Sequence, residues 1–167
     1  MASNDLPPPP SPDILFRINP TPAIPVLPSV KENEHIDIRY PLIEPYAYAH
    51  IYWDQQANEL VYFVEEPQLT NPEIDLLITV ERGIEELINI SFLNIKTTDA
   101  VVSYLEKNIK VLLAEIGAKV SEGTFLKLMY YVYRDFVGLN EIEPLMKDYF
   151  IEDIECNGVD APLYIVH

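Results

Sequence analysis

Apolar positions follow two regimes along this chain, and the change between them marks where strands give way to helices. Residues 36–69 are rich in Tyr, Val and other strand formers. Two strands are predicted, at residues 46–53 and 59–65. The polar run Asp54-Gln55-Gln56-Ala57-Asn58 between them has hairpin length, and a further strand is predicted near residues 36–40. From residue 71 the spacing becomes helical. Asn71-Pro72-Glu73 reads as a helix start, with Asn71 as cap, followed by a proline and an early acid. Ile74, Leu77, Ile78, Ile84, Leu87 and Ile88 then mark an apolar face. A second helix is predicted from Thr97 or Thr98, with Val101, Leu105, Ile109, Leu112, Leu113 and Ile116 on one face and Gly117 as its stop. Glu106 and Lys110 form an i,i+4 pair in the favourable order. A third helix is predicted from Ser121 to Gly138, carrying Phe125, Leu128, Met129, Val132 and Phe136 on one face. Short links predict antiparallel neighbours and a three-helix bundle.

The remaining residues return to β structure. Glu143-Pro144-Leu145-Met146 predicts a short helical turn. Residues 151–155 and 163–166 predict two strands around the turn signal Asn157-Gly158. Tyr164-Ile165-Val166 reads as an unfinished apolar sheet edge, which predicts that the native chain continues past His167. At the other end, nine of the fifteen prolines fall within residues 1–29. Proline lacks an amide donor and disfavours helix before it, so residues 1–34 read as a disordered or polyproline II tail. The apolar clusters Ile14-Leu15-Phe16 and Ile24-Pro25-Val26-Leu27 make docking motifs the alternative to an inert tail. The predicted class is α+β. Its parts are a tail (1–34), a β-hairpin with a three-helix bundle (35–138), and the start of a further α/β domain (139–167).

Charge narrows the range of partners. The formal net charge is −16, from 27 acids against 11 Lys and Arg with no basic patch. This argues against nucleic acid and anionic membrane as partners. Residues 65–89 hold seven acids and one base, Arg82, so the first helix is expected to present an acidic outer face. Glu81, Glu85 and Glu86 are its candidate partner-binding residues, with a basic segment as the expected partner. The alternative is an acidic face that only confers solubility. The single cysteine, Cys156, has acidic neighbours and no basic activator, and it fits a reducing compartment. No secretory leader and no apolar run of membrane-spanning length is apparent.

No motif of catalysis emerges. There is no GxxxxGK[ST] or GxGxxG loop, and His35, His50 and His167 are far apart in sequence. Glu65-Glu66, Glu85-Glu86 and the Glu152, Asp153, Glu155 group read as solvated acids rather than metal or acid–base sites. In Tyr130, Tyr131, Tyr133 and Phe136 core packing is the expected role, and Arg134-Asp135 is expected to be a structural ion pair.

A series of short blocks carries a resemblance. Tyr130-Tyr131-Val132-Tyr133-Arg134-Asp135-Phe136-Val137-Gly138 is followed by Ile142-Glu143-Pro144-Leu145-Met146-Lys147-Asp148. Then come Ile151-Glu152-Asp153-Ile154-Glu155-Cys156-Asn157-Gly158 and Pro162-Leu163-Tyr164-Ile165-Val166-His167. In order and spacing these resemble the N-terminal domain of archaeal type II/IV secretion ATPases, the motors of archaella and archaeal pili. Upstream, Tyr40-Pro41-Leu42-Ile43-Glu44-Pro45-Tyr46-Ala47 and Val61-Tyr62-Phe63-Val64-Glu65-Glu66-Pro67-Gln68-Leu69 are similar too. The resemblance spans residues 36–167. Its motif residues are Arg134, Asp135, Pro144, Leu145, Met146, Asp148, Ile151, Glu152, Asp153, Ile154, Asn157 and Gly158.

The resemblance implies a non-catalytic domain that docks partners and moves with ATP turnover. In such a parent a RecA-like domain follows and binds ATP and Mg. Six copies form a ring at the cytoplasmic face of the membrane, against a platform protein or accessory subunits. The family's Walker A loop, acidic boxes and histidine box are not among these residues, so no catalytic or cofactor-binding residue carries over. Gly138-Leu139-Asn140 stands where the family has a Gly-Tyr-Gly-like turn. The expected fragment is monomeric. The alternative is a free-standing acidic adaptor that docks partners through its Pro-rich tail and helical bundle.

Overall fold

A computed structural model of the chain describes residues 14–19, 23–27, 36–87, 97–159 and 163–167. The chain is an α+β protein, as its sequence predicts. Two units are each assembled from separate stretches: Met1–Arg17 with Leu69–Tyr133, and Ile18–Gln68 with Arg134–His167. The β-sheet, grouped with the helices in the sequence reading, therefore clusters with the C-terminal residues instead. The four-proline run at residues 7–10, His35, Ile88 and Pro162 lie outside the described residues.

The first unit is helical, with α1 (Asn71–Leu87), α2 (Thr98–Glu115) and most of α3 (Glu122–Phe136). Thr70, not Asn71, caps α1. Its backbone N–H and hydroxyl both donate to Glu73, at 2.8 and 3.0 Å, the reciprocal half of a capping box. On α1 the buried residues are Leu77, Val80 and Ile84, while the predicted face members Ile74 and Ile78 are 41% and 43% exposed. Val80 completes the buried stripe because it lies three residues from Leu77 and four from Ile84.

Thr97 caps α2 by accepting from the N–H of Ala100. At the other end Gly117 takes φ +69°. Its N–H reaches Ala114 and that of Ala118 reaches Leu113, a Schellman closure that needs a residue tolerant of the left-handed region. Val102 and Glu106 are buried on α2, whereas the predicted Ile116 is exposed. The two helices approach closely at Gly83, where an added Cβ would lie 2.7 Å from the Leu112 side chain. Helix α3 is capped by Ser121 and buries Phe125, Leu128, Met129, Tyr130, Val132 and Tyr133. Tyr130 and Tyr133 are core, as their place in the sequence suggests.

The second unit holds a three-stranded antiparallel sheet in the order β1 (Asp37–Ile43), β2 (Ala47–Asp54), β3 (Glu59–Glu65). The predicted hairpin is β2–β3, and β1 runs three residues further than its sequence signal. Pairing sets Tyr40 opposite Ala49 and Ala49 opposite Val64. Tyr40, Leu42, Ala47, Ala49 and Ile51 are buried. After α3 come a 3-10 turn (Asn140–Ile142) and α4 (Glu143–Met146), then a hairpin of β4 (Asp153–Cys156) and β5 (Leu163–Val166). Residues 151 and 152 precede β4 rather than forming it. Leu163, Tyr164 and Val166 are exposed. Among the described residues no helix is long and apolar enough to cross a membrane.

Candidate functional site

In the second unit, polar side chains from four chain segments meet on one carboxylate. Asp148, just after α4, has a side chain with no exposed surface. Its Oδ2 accepts the hydroxyls of Tyr40 from β1 and Tyr62 from β3, at 2.5 and 2.6 Å. Its Oδ1 accepts the N–H of Phe150 at 2.9 Å. Tyr40 spends its one hydrogen on Asp148, so His167 Nε2, 2.7 Å from the phenolic oxygen, is the donor there. The Phe150 ring stands edge-on to Tyr40 with centroids 5.9 Å apart. Burial raises the pKa of both phenols, and the hydrogen bond to Asp148 and its charge raise them further. The carboxylate accepts three hydrogen bonds and its side chain is fully buried, so the cluster holds segments together and presents no acceptor at the surface.

A second polar lock lies close by in sequence. Arg134 makes a two-bond contact with Asp135, through Nε at 2.6 Å and Nη2 at 3.1 Å. Its Nη1 donates to both oxygens of Glu66, at 2.9 and 3.2 Å. Burial disfavours the guanidinium charge, but hydrogen bonds to Asp135 and Glu66 outweigh it, and the Arg134 pKa is raised. The expected structural ion pair is present, with Glu66 as a third member that the sequence did not reveal. Buried Glu143 accepts the N–H of Leu139 at 2.9 Å and pairs with Lys147 at 2.9 Å.

The motif residues thus divide. Arg134, Asp135, Pro144, Leu145 and Asp148 belong to the packed interior or its ion pairs. Met146, Glu152, Asp153, Asn157 and Gly158 are exposed, and Ile151 and Ile154 are half-buried. Asn157-Gly158, the turn signal, directly follows β4, and Gly158 takes φ +126°. His50 lies on the sheet 2.9 Å from Asp37 and 3.3 Å from Glu65.

Of the three candidate partner-binding residues in the first unit, Glu85 and Glu86 are exposed, while Glu81 is half-buried. Glu81 and Glu85 continue the line of Ile74 and Ile78 at i, i+4, i+7, i+11 spacing, so the stripe is half apolar and half acidic. Glu106 departs most from its sequence reading. It is 4% exposed, and its carboxylate accepts the N–H groups of Leu15 and Phe16 as well as Lys110 Nζ, the last at 2.6 Å. Phe16 is 1% exposed, with its ring 5.9 Å from that of Tyr133. Within the segment expected to be a free tail, these residues are packed.

Among the described residues no group of three or more His, Cys, Asp or Glu is placed to hold a metal ion. No family model matches the sequence. Over 115 residues the chain is 30% identical to the uncharacterized protein MJ1288 of Methanocaldococcus jannaschii. That match takes in 69% of this chain and 45% of the relative, so the chain spans less than half of the relative's length.

Proposed function

We propose that this chain is the N-terminal, non-catalytic domain of a hexameric archaeal secretion or filament-assembly ATPase. One observation carries the reading. The blocks that resemble that family are scattered over residues 40–47, 61–69 and 130–167, yet nearly all of them fall into one unit. Within it they bond to one another: Tyr40 and Tyr62 to Asp148, Glu66 to Arg134, Tyr40 to His167. Residues that resemble one domain in separate blocks, and that depend on each other physically, are what a single inherited domain requires. A relative in an archaeon is in keeping with this.

In this reading the chain docks a membrane platform protein or accessory subunits at the cytoplasmic face. It moves with ATP turnover, while ATP and Mg bind to the RecA-like domain of the parent. The frame downstream of His167 in the source genome tests it. A GxxxxGK[ST] loop in frame, and hexamers of the extended product that hydrolyse ATP, are expected. A stop codon there, with a monomer that still binds its partner, would overturn the ATPase reading in favour of a free-standing acidic adaptor. Calorimetric titration of this chain with Mg-ATP is expected to show no micromolar binding, because a phosphate loop supplies most of the nucleotide contacts.

A further inference from the structure

Residues 14–19 form neither helix nor strand, yet they are held tightly at one point. Consecutive backbone N–H groups, of Leu15 and Phe16, converge on the Glu106 carboxylate at 3.1 and 3.2 Å. The Phe16 ring is buried beside Tyr133. Leu15 is 46% exposed. It lines an open groove of about 560 Å³ whose other lining residues include Leu113, Ala118, Val120, Phe125 and Lys119. Lys110, which bonds Glu106, lines the same groove, so the groove adjoins the point where Leu15 and Phe16 are held.

We propose that this surface is a receptor for an extended apolar–aromatic segment of a partner protein, and that Leu15-Phe16 occupies it in cis as an exchangeable placeholder. The resident segment defines the chemistry of the ligand. The carboxylate reads two successive backbone N–H groups, which any residue except proline offers. The second of the two residues carries an aromatic ring that fills the site by Tyr133. The first faces a groove that Leu15 leaves largely open, so a larger apolar side chain there buries area the cis segment does not. Apolar character alone does not meet these demands. Ile24-Pro25-Val26-Leu27, the other apolar cluster near the N-terminus, has no aromatic residue, and Ile24 and Val26 are exposed. Vacating the site would leave Glu106 with Lys110 and water and would expose the apolar surface that Phe16 covers beside Tyr133. That favours exchange over vacancy. The site is independent of the ATPase reading, and its test does not involve ATP.

The test uses the whole chain and a fluorescein-labelled peptide of residues 12–19, read by anisotropy. In Phe16→Ala the tethered segment no longer fills the site. The peptide is expected to bind this variant at least about tenfold more tightly than the wild type, where a tethered competitor at high effective concentration must be displaced. A peptide with Leu15→Trp should bind several-fold more tightly again, and a peptide with Phe16→Pro should lose binding. Adding Glu106→Ala to the variant should abolish capture. Equal, weak binding to the wild type and to a Phe16→Ala protein with a cooperative melt would overturn the proposal, as would full binding of the proline peptide. Should Phe16→Ala fail to fold, amide hydrogen exchange of the wild type decides. The Leu15 and Phe16 amides are expected to open far more readily than those of Ile109 and Leu128. Exchange only through global unfolding would make the segment permanent core and end the proposal. A dimer that forms with concentration by trading these segments would assign the site to a second copy and overturn the partner assignment.

Discussion

Tyr62 donates its hydroxyl hydrogen to Asp148 at 2.6 Å, from a position 86 residues earlier in the chain. Tyr40 donates to the same oxygen, and both phenols are held above their ordinary value of 10.0, first by burial and then by Asp148. The unfolded chain releases these protons near pH 10 and the folded chain keeps them. Above that pH the unfolded state binds fewer protons, so stability falls as pH rises. With two such groups the slope is about 2.7 kcal/mol per pH unit, and Tyr62→Phe halves it. Urea unfolding over an alkaline pH series checks this. Asp148→Ala, which strands two hydroxyls and the Phe150 N–H, is expected to cost about 3 kcal/mol at neutral pH.

Glu73 governs the acid side. The Thr70 N–H, then Lys127 and the Thr124 and Thr70 hydroxyls, lower its pKa from 4.5 to about 2. A depressed carboxylate contributes stability that is complete above its unfolded value and is lost as pH falls through the folded one. The helical unit is therefore expected to weaken between pH 4.5 and about 2. Glu73→Gln should lower Tm at neutral pH and match the wild type at the acid end. Calorimetric melts of both proteins across that range provide the measurement.

Neighbouring residues 15 and 16 are expected to differ sharply. Phe16→Ala removes a buried ring and should cost about 3 kcal/mol. Leu15→Ala, on a half-exposed side chain whose N–H survives the change, should cost less than about 1 kcal/mol. Denaturant midpoints at constant m-value distinguish the two.

For the acidic face of α1, Glu85→Lys and Glu86→Lys are expected to shift stability by no more than about 0.5 kcal/mol. Both should slow the docking of a cationic partner segment, and the wild-type on-rate should fall steeply with added salt. Glu81→Lys should in addition lower stability, since that side chain is half-buried. Stopped-flow association at two ionic strengths checks all three. Rates unmoved by charge or salt would reduce the face to a solvated surface.

Gly138 follows α3, and a Cβ there would lie 2.7 Å from the Arg134 carbonyl oxygen and 2.6 Å from Glu143 Cγ. Gly138→Ala is expected to cost about 2 kcal/mol, because backbone must move. Gly83→Ala meets only the tip of the Leu112 side chain and should cost less in the same thermal melts.

What the sequence determined by itself was local. A helix start at Thr97 or Thr98, Gly117 as a stop, the polar link from Asp54 to Asn58 and the turn at Pro144 were all legible, because each acts on backbone within a few residues. Periodicity located α1 but not its buried stripe. Ile74 and Ile78 are apolar and at helical spacing, yet burial depends on where neighbouring helices lie. Glu106 and Lys110 were visible as an i,i+4 pair. That the carboxylate is buried and bound to Leu15 and Phe16 was not, because backbone N–H groups carry no sequence signature and the contact spans 90 residues. His167 showed no role for the same reason: its partner Tyr40 is 127 residues away. Only the tertiary structure gathers Tyr40, Tyr62, Asp148 and His167 around one carboxylate, since strand pairing and chain reversal, not spacing, decide which distant side chains share a low-dielectric interior.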